Sequence, residues 1–241
     1  PKLQSLCGIS PGCTTVDLSN SNMGPADCLI LTHELQAGRA TTSIAHISLS
    51  GNKITGTKYD SGWKCDLDLS GIIAFGEAAA VSKTLASIDL SDCGISSKGI
   101  AEVARFMSAG ASITSCCVVN NPLGEGVNEI IKVFEQTPRL RTLCGFEEGI
   151  EKVDWSNSGK GVADVTLLAA ELTAGRAIAS IASLTLDSNG IFGELRPNGS
   201  VKEADKFLTE VQPLLDALKT SSISSLSLRG TGMGVKGVAI N

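Results

Sequence analysis

The sequence predicts an α/β repeat architecture in which short parallel strands line one wall and helices cover the other. Three observations predict it: a long stretch recurs at a constant offset of 137 residues, a short strand motif recurs at seven places, and apolar residues at helical spacing fill the intervals. A strand, turn, helix and return in about 28–31 residues, repeated, stacks into a continuous core that no single coil could bury alone.

The duplication comes first. Leu6-Cys7-Gly8 recurs as Leu143-Cys144-Gly145, and Val16-Asp17-Leu18-Ser19-Asn20-Ser21 recurs as Val153-Asp154-Trp155-Ser156-Asn157-Ser158. The offset also carries Glu34-Leu35 onto Glu171-Leu172, Gly38-Arg39-Ala40 onto Gly175-Arg176-Ala177, and Ile47-Ser48-Leu49 onto Leu184-Thr185-Leu186. After Lys53 the register loosens, then resumes at 138 with Asp92-Cys93-Gly94-Ile95 over Gly230-Thr231-Gly232-Met233. The chain therefore reads as a single domain, 1–241, built from two tandem units of about 1–137 and 138–241, the second truncated.

Within each unit an apolar-x-apolar-x-x-(Asn/Cys/Ser/Thr)-x-apolar motif starts at Val16, Ile47, Ile88, Cys116, Val153, Leu184 and Leu226. The leading positions alternate as a strand requires. The polar position, held by Ser21, Asn52, Cys93, Asn121, Ser158, Asn189 and Thr231, suits a side chain that bonds to backbone as the chain leaves the sheet. Between the strands, Ile100, Val103, Ala104 and Met107, and then Val127, Ile130, Ile131 and Phe134, keep the period of an amphipathic helix. Gly38, Gly110 and Gly175 follow helical runs and are expected as left-handed caps.

The motif, the helix-containing spacing and the Asn/Cys ladder resemble the ribonuclease-inhibitor-like class of leucine-rich repeats over nearly the whole chain. That resemblance implies a right-handed solenoid, a horseshoe with a curved parallel sheet on its concave face and helices on its convex face, acting as a recognition scaffold. The chain departs from the class in strand spacing, at Lys160 and at one short interval. Strands at 47 and 88, and at 184 and 226, lie 41 and 42 residues apart, and Lys160 occupies a position where the motif wants an apolar residue. The interval from Leu143 to Val153 is too short for an ordinary parallel crossover of about a dozen residues, so irregular geometry is expected there.

Composition excludes several roles. With 42% apolar residues the chain can bury a large core, and its longest apolar runs fall far short of the ~20 residues of a bilayer-spanning helix. A net charge of −5 with dispersed Lys and Arg gives no footprint for nucleic acid or an anionic membrane. The opening residues lack a basic segment followed by an apolar core, so no signal peptide is expected. Eight cysteines in a chain that can build a core point to reduced thiols and an intracellular compartment, cytoplasmic or organellar. The sequon Asn198-Gly199-Ser200 leaves secretion open.

The expected partner is a protein held on the concave wall, where Asp17, His46, Asp89, Asp154, Asp187 and Arg229 project among small hydroxylated residues. The two long intervals, Thr55 to Ser70 and Phe192 to Lys202, read as structureless rim inserts, with Tyr59, Trp63 and Arg196 as contact residues. A rival reading is a structural subunit packed through its ends, since neither end shows a polar capping element.

No active site is expected. His33-Glu34 lacks the second His that zinc-protease chemistry needs, position 37 being Ala37. Cys117, Asp89 and His46 fall on successive strands in the wrong order for a nucleophile, orienter and base. Gly124-Glu125-Gly126 lacks a third glycine and an acidic ribose reader, and no Cys-x-x-Cys pair exists, so no metal or cofactor is expected.

Overall fold

The leading apolar residue of each short motif becomes the centre of a three-residue strand, buried in six of the seven and exposed only at Leu226. In the computed structural model, which describes residues 5–38, 42–59 and 62–238 without the side chains of Tyr59, Trp63 and Val238, the chain divides into two compact units, Pro1–Arg141 and Thr142–Asn241. The first runs β1 (Thr15–Asp17), α1 (Pro25–Ala37), β2 (His46–Ser48), β3 (Lys58–Tyr59), β4 (Trp63–Lys64), α2 (Ser70–Val81), β5 (Ser87–Asp89), α3 (Ser97–Ala109), β6 (Ser115–Cys117) and, after a 3-10 turn, α4 (Val127–Gln136). The second runs β7 (Lys152–Asp154), α5 (Val162–Ala174), β8 (Ser183–Thr185), β9 (Glu194–Leu195), β10 (Val201–Glu203), α6 (Gln212–Thr220), β11 (Ser225–Ser227) and α7 (Val235–Val238).

Both main sheets are parallel. In the first unit the order is β1-β2-β5-β6, and Val16, Ile47, Ile88 and Cys116 stand side by side in one row. In the second, β8 lies between β7 and β11, with Val153, Leu184 and Leu226 in a row. As the short 143–153 interval predicts, no helix forms there, and β6 and β7 belong to different sheets.

Each strand leaves its sheet through a ladder residue. Asn121 donates from Nδ2 to Leu90 O at 2.8 Å and Val118 O at 3.0 Å, while its Oδ1 accepts the amides of Cys93 and Ile95. Asn52 repeats this with Leu18 O and Leu49 O on one side and the amides of Ser21 and Met23 on the other. Asn189 donates to Trp155 O and Leu186 O and accepts from Lys160 N. Cys93 Sγ and Thr231 Oγ1 donate to Leu49 O and Leu228 O. Buried amides and carbonyls that the turn would strand are paired in this way.

The residue just before every ladder position has a left-handed backbone: Asn20, Gly51, Asp92, Asn120, Asn157, Ser188 and Gly230, with φ between 49° and 72°. At Gly51 a Cβ would come within 2.2 Å of Asn20 Oδ1, so the neighbouring turn as well as the dihedral selects glycine.

The helices follow the duplication. Asp27 Oδ2 accepts the Gly24 amide at 2.8 Å where α1 starts, and Asp164 Oδ2 accepts the Gly161 amide at the same distance where α5 starts. Both end on left-handed glycines, Gly38 and Gly175, as expected. Gly110 does not: its φ is −71°, and the carbonyls ending α3 are covered by Arg139, which donates to Gly110 O at 2.8 Å and Met107 O at 2.6 Å. Close packing explains this glycine, since a Cβ would meet Ile113 Cδ1 at 2.8 Å. Lys160 fills its apolar slot with its stem and sets its ammonium 5.0 Å from the Trp155 ring centre, where Phe146 also stacks.

Candidate functional site

The residues beside the buried centres line the sheet face opposite the helices. Register puts Asp17, Ser48, Asp89 and Cys117 in one row and Thr15, His46, Ser87 and Ser115 in the next. His46 is therefore level with Ser87, one row away from Asp89 and Cys117, and the three do not form a nucleophile, orienter and base. In the second unit the corresponding rows are Asp154, Thr185 and Ser227, and Lys152, Ser183 and Ser225.

The carboxylates on this face terminate strands. Asp17, Asp89 and Asp154 each accept the amide two residues on, from Ser19, Ser91 and Ser156, at 2.9 Å. Hydrogen bonds from these serines hold the Asp17 and Asp154 carboxyls below the ordinary aspartate value. Asp17 and Asp154 remain exposed and Asp89 half-buried. Neighbouring strands are tied by hydroxyls, with Ser50 Oγ 2.9 Å from Ser91 Oγ.

Asp187 is spent differently. It is buried, accepts Ser227 Oγ at 2.6 Å and Arg229 N and Nε at 2.8 Å, and these contacts lower its carboxyl. Arg229 keeps 86% of its side chain exposed while paired, so of the two it is the one that faces solvent.

Both long intervals contain an antiparallel hairpin where structureless inserts were expected. Each is long enough to fold back on itself, and the Pro197-Asn198-Gly199 turn gives the second a defined tip. Tyr59 and Trp63 pair across β3 and β4; their side chains lie outside the described residues. In the other hairpin Arg196 reaches Val201 O at 2.6 Å, and Glu194 takes Lys202 and Lys206, whose hydrogen bonds hold it down at about 2.

The hairpin segments also carry a feature that sequence reading missed. Asp66, with φ 55°, accepts the amides of Ser96 and Gly99 at the start of α3, and Asp205, with φ 57°, accepts those of Gly234, Lys236 and Gly237 at the start of α7. The signal was an Asp two residues past the second hairpin strand in each unit. Among the described residues no cluster of three potential metal ligands occurs, and no helix is long and apolar enough to cross a membrane. His33 lies exposed on α1, and the eight cysteines are all unbridged.

Parallel strands, each leaving its sheet through a polar ladder and backed by helices, define an α/β repeat protein. No family profile matches the chain. Over 109 residues, 42% of the chain, it is 33% identical to the human (Homo sapiens) NACHT, LRR and PYD domains-containing protein 5, a likeness to a leucine-rich-repeat protein that spans only 8% of that protein's length. Among solved structures, Leiomodin-1 Actin-Binding Site 2 matches 55% of this chain and 70% of its own, with 19% identity and a TM-score of 0.43. An internalin from Listeria monocytogenes matches 83% and 52%, with 10% identity and a TM-score of 0.26. At these scores neither structural likeness bears on what the chain binds.

Proposed function

We propose that the chain is a non-catalytic protein-binding scaffold, a single leucine-rich-repeat domain of the ribonuclease-inhibitor-like class whose two tandem units form a horseshoe solenoid. The partner sits on the concave sheet face and against the two rim hairpins. The observation that carries the reading is the in-register row of polar side chains, Asp17, Ser48 and Asp89, on a face opposite the helices. A repeat scaffold recognises through such a row, and the grouped side chains lack the mutual geometry of an acid, base and nucleophile.

The test must separate charge from folding, because Asp17, Asp89 and Asp154 also hold their turns. Asp→Asn at the three positions keeps the acceptor oxygen and removes the charge. Captured partner should fall at least tenfold in apparent affinity, while thermal unfolding moves little. Retention by this triple variant and also by Trp63→Ala sinks the proposed surface.

One observation favours a second reading, a subunit of a larger assembly. Leu6 is 62% exposed and Ile30 43%, whereas their counterparts Leu143 and Leu167 in the second unit are fully buried. Sedimentation of the 241-residue chain as a monomer at high concentration counts against it.

A further inference from the structure

The chain holds two Asn-Gly dipeptides, and the fold treats them in opposite ways. Asn189, before Gly190, is a buried ladder residue whose Nδ2 donates to Trp155 O, Leu186 O and Asp187 O and whose Oδ1 accepts the Lys160 amide. Asn198, before Gly199, is exposed at the tip of the β9–β10 hairpin. The Arg196–Gly199 turn closes through Gly199 N to Arg196 O at 2.8 Å, and Gly199 follows in the left-handed region with φ 78°.

We propose that Asn198 is a spontaneous modification site, at which the folded protein converts the side-chain amide to an aspartyl or isoaspartyl carboxylate while sparing Asn189. The Gly199 amide nitrogen gives its proton to solvent base and attacks Asn198 Cγ. The bond from Cγ to Nδ2 breaks, and Nδ2 leaves as ammonia with a proton from water. Water then adds to either carbonyl of the cyclic imide, opening it to aspartate or isoaspartate. No oxidant, reductant or enzyme is needed.

Three features favour the tip. Gly199 has no Cβ to shield its nitrogen, and a Cβ built there meets nothing within 4 Å. Asn198 Oδ1 accepts Ser200 Oγ at 2.7 Å and Ser200 N at 3.1 Å, and both donors draw electron density from Cγ, the atom under attack. The contact given up is the single turn hydrogen bond to Arg196 O, at an exposed tip where water replaces it. At Asn189 the same reaction must break the ladder, which opens only by local unfolding. Conversion places a new negative charge two residues from Arg196, whose guanidinium holds Val201 O and Ser200 Oγ.

Both sites fall in one tryptic fragment, Ala177 to Lys202, because the Arg196-Pro197 bond resists trypsin. The native chain is incubated at mildly alkaline pH in heavy-oxygen water, and label is localised by fragment-ion mass spectrometry. Asn198 is expected to react faster than Asn189 by on the order of 100-fold, from the several buried hydrogen bonds that must open at the ladder. In urea the two rates should converge, and Ser200→Ala should slow Asn198 severalfold in the native protein. Equal native rates, preferential conversion at Asn189, or an Asn198 that stays intact under conditions that convert the unfolded chain each overturn the assignment.

Discussion

The carboxylate of Asp66 lies 2.8 Å from the amide of Gly99, 33 residues further along the chain, and so caps a helix belonging to the next repeat. Ser96 donates to the same carboxylate from its hydroxyl. Asp66→Ala should cost about 1–2 kcal/mol, the usual loss for an N-terminal cap, measured by urea unfolding. Asp66→Asn, which tolerates the left-handed backbone and keeps an acceptor, should lose less. A neutral Asp66→Ala would mean that water serves α3 as well.

The ladder gives a graded expectation. Asn121→Ala strands the amides of Cys93 and Ile95 and the carbonyls of Leu90 and Val118 in the core. It should destabilise by roughly 3–5 kcal/mol, as losses of buried hydrogen-bond networks do. Ser21 sits at an exposed turn and its hydroxyl donates locally to Ser19 O, while its amide keeps its bond to Asn52 in the variant, so Ser21→Ala should stay within about 0.5 kcal/mol of wild type. Equal effects at both positions would show that the ladder does not hold the repeats.

A buried acid makes the second unit sensitive to pH. Glu171 Oε1 accepts Thr142 Oγ1, Leu143 N and Cys144 N, while Oε2 has no partner, and burial raises the carboxyl above its ordinary 4.5. The folded state therefore keeps this proton to higher pH than the unfolded chain does. Its contribution is whole below the ordinary value and is lost as pH rises through the folded value. Glu171→Gln, neutral throughout, should match wild type in acid and gain on it as pH rises. Parallel stability curves for the two proteins would refute the assignment.

Thiol labelling reads the core directly. Burial pushes Cys28 and Cys93 up to about 12 and drives Cys116 well above its ordinary value. In the native protein at mildly alkaline pH these three should resist alkylation that reaches the half-exposed Cys13, Cys65 and Cys117. All three should react at once in urea; reaction of Cys116 without unfolding would contradict its place in the β6 row.

The strands and ladder were legible in the sequence because their signal is periodic and doubled: all seven strand centres and the Asn ladder lie where the motif puts them. Gly110 was misread because a glycine after a helix has two explanations, a left-handed cap or close packing, and only coordinates separate them. The hairpins were missed because strands of two or three residues, Lys58–Tyr59 and Trp63–Lys64 among them, are too short to show alternation. Of the candidate contacts, Asp187 could not be told from Asp154 by spacing, since its burial depends on Arg229, 42 residues away. Asp66 has a counterpart in Asp205, but spacing alone does not show its capping role, since the Gly99 amide that it accepts lies 33 residues away.

The left-handed residue ahead of each ladder position has an evolutionary consequence. Between the two units Asn20 corresponds in sequence to Asn157, Gly51 to Ser188, and Asp92 to Gly230, so chemistry has drifted while the dihedral has not. What descent preserves at these corners is a handedness of the chain, open to several small polar residues and closed to branched ones. Duplicated halves could thus diverge widely in composition and still wind alike.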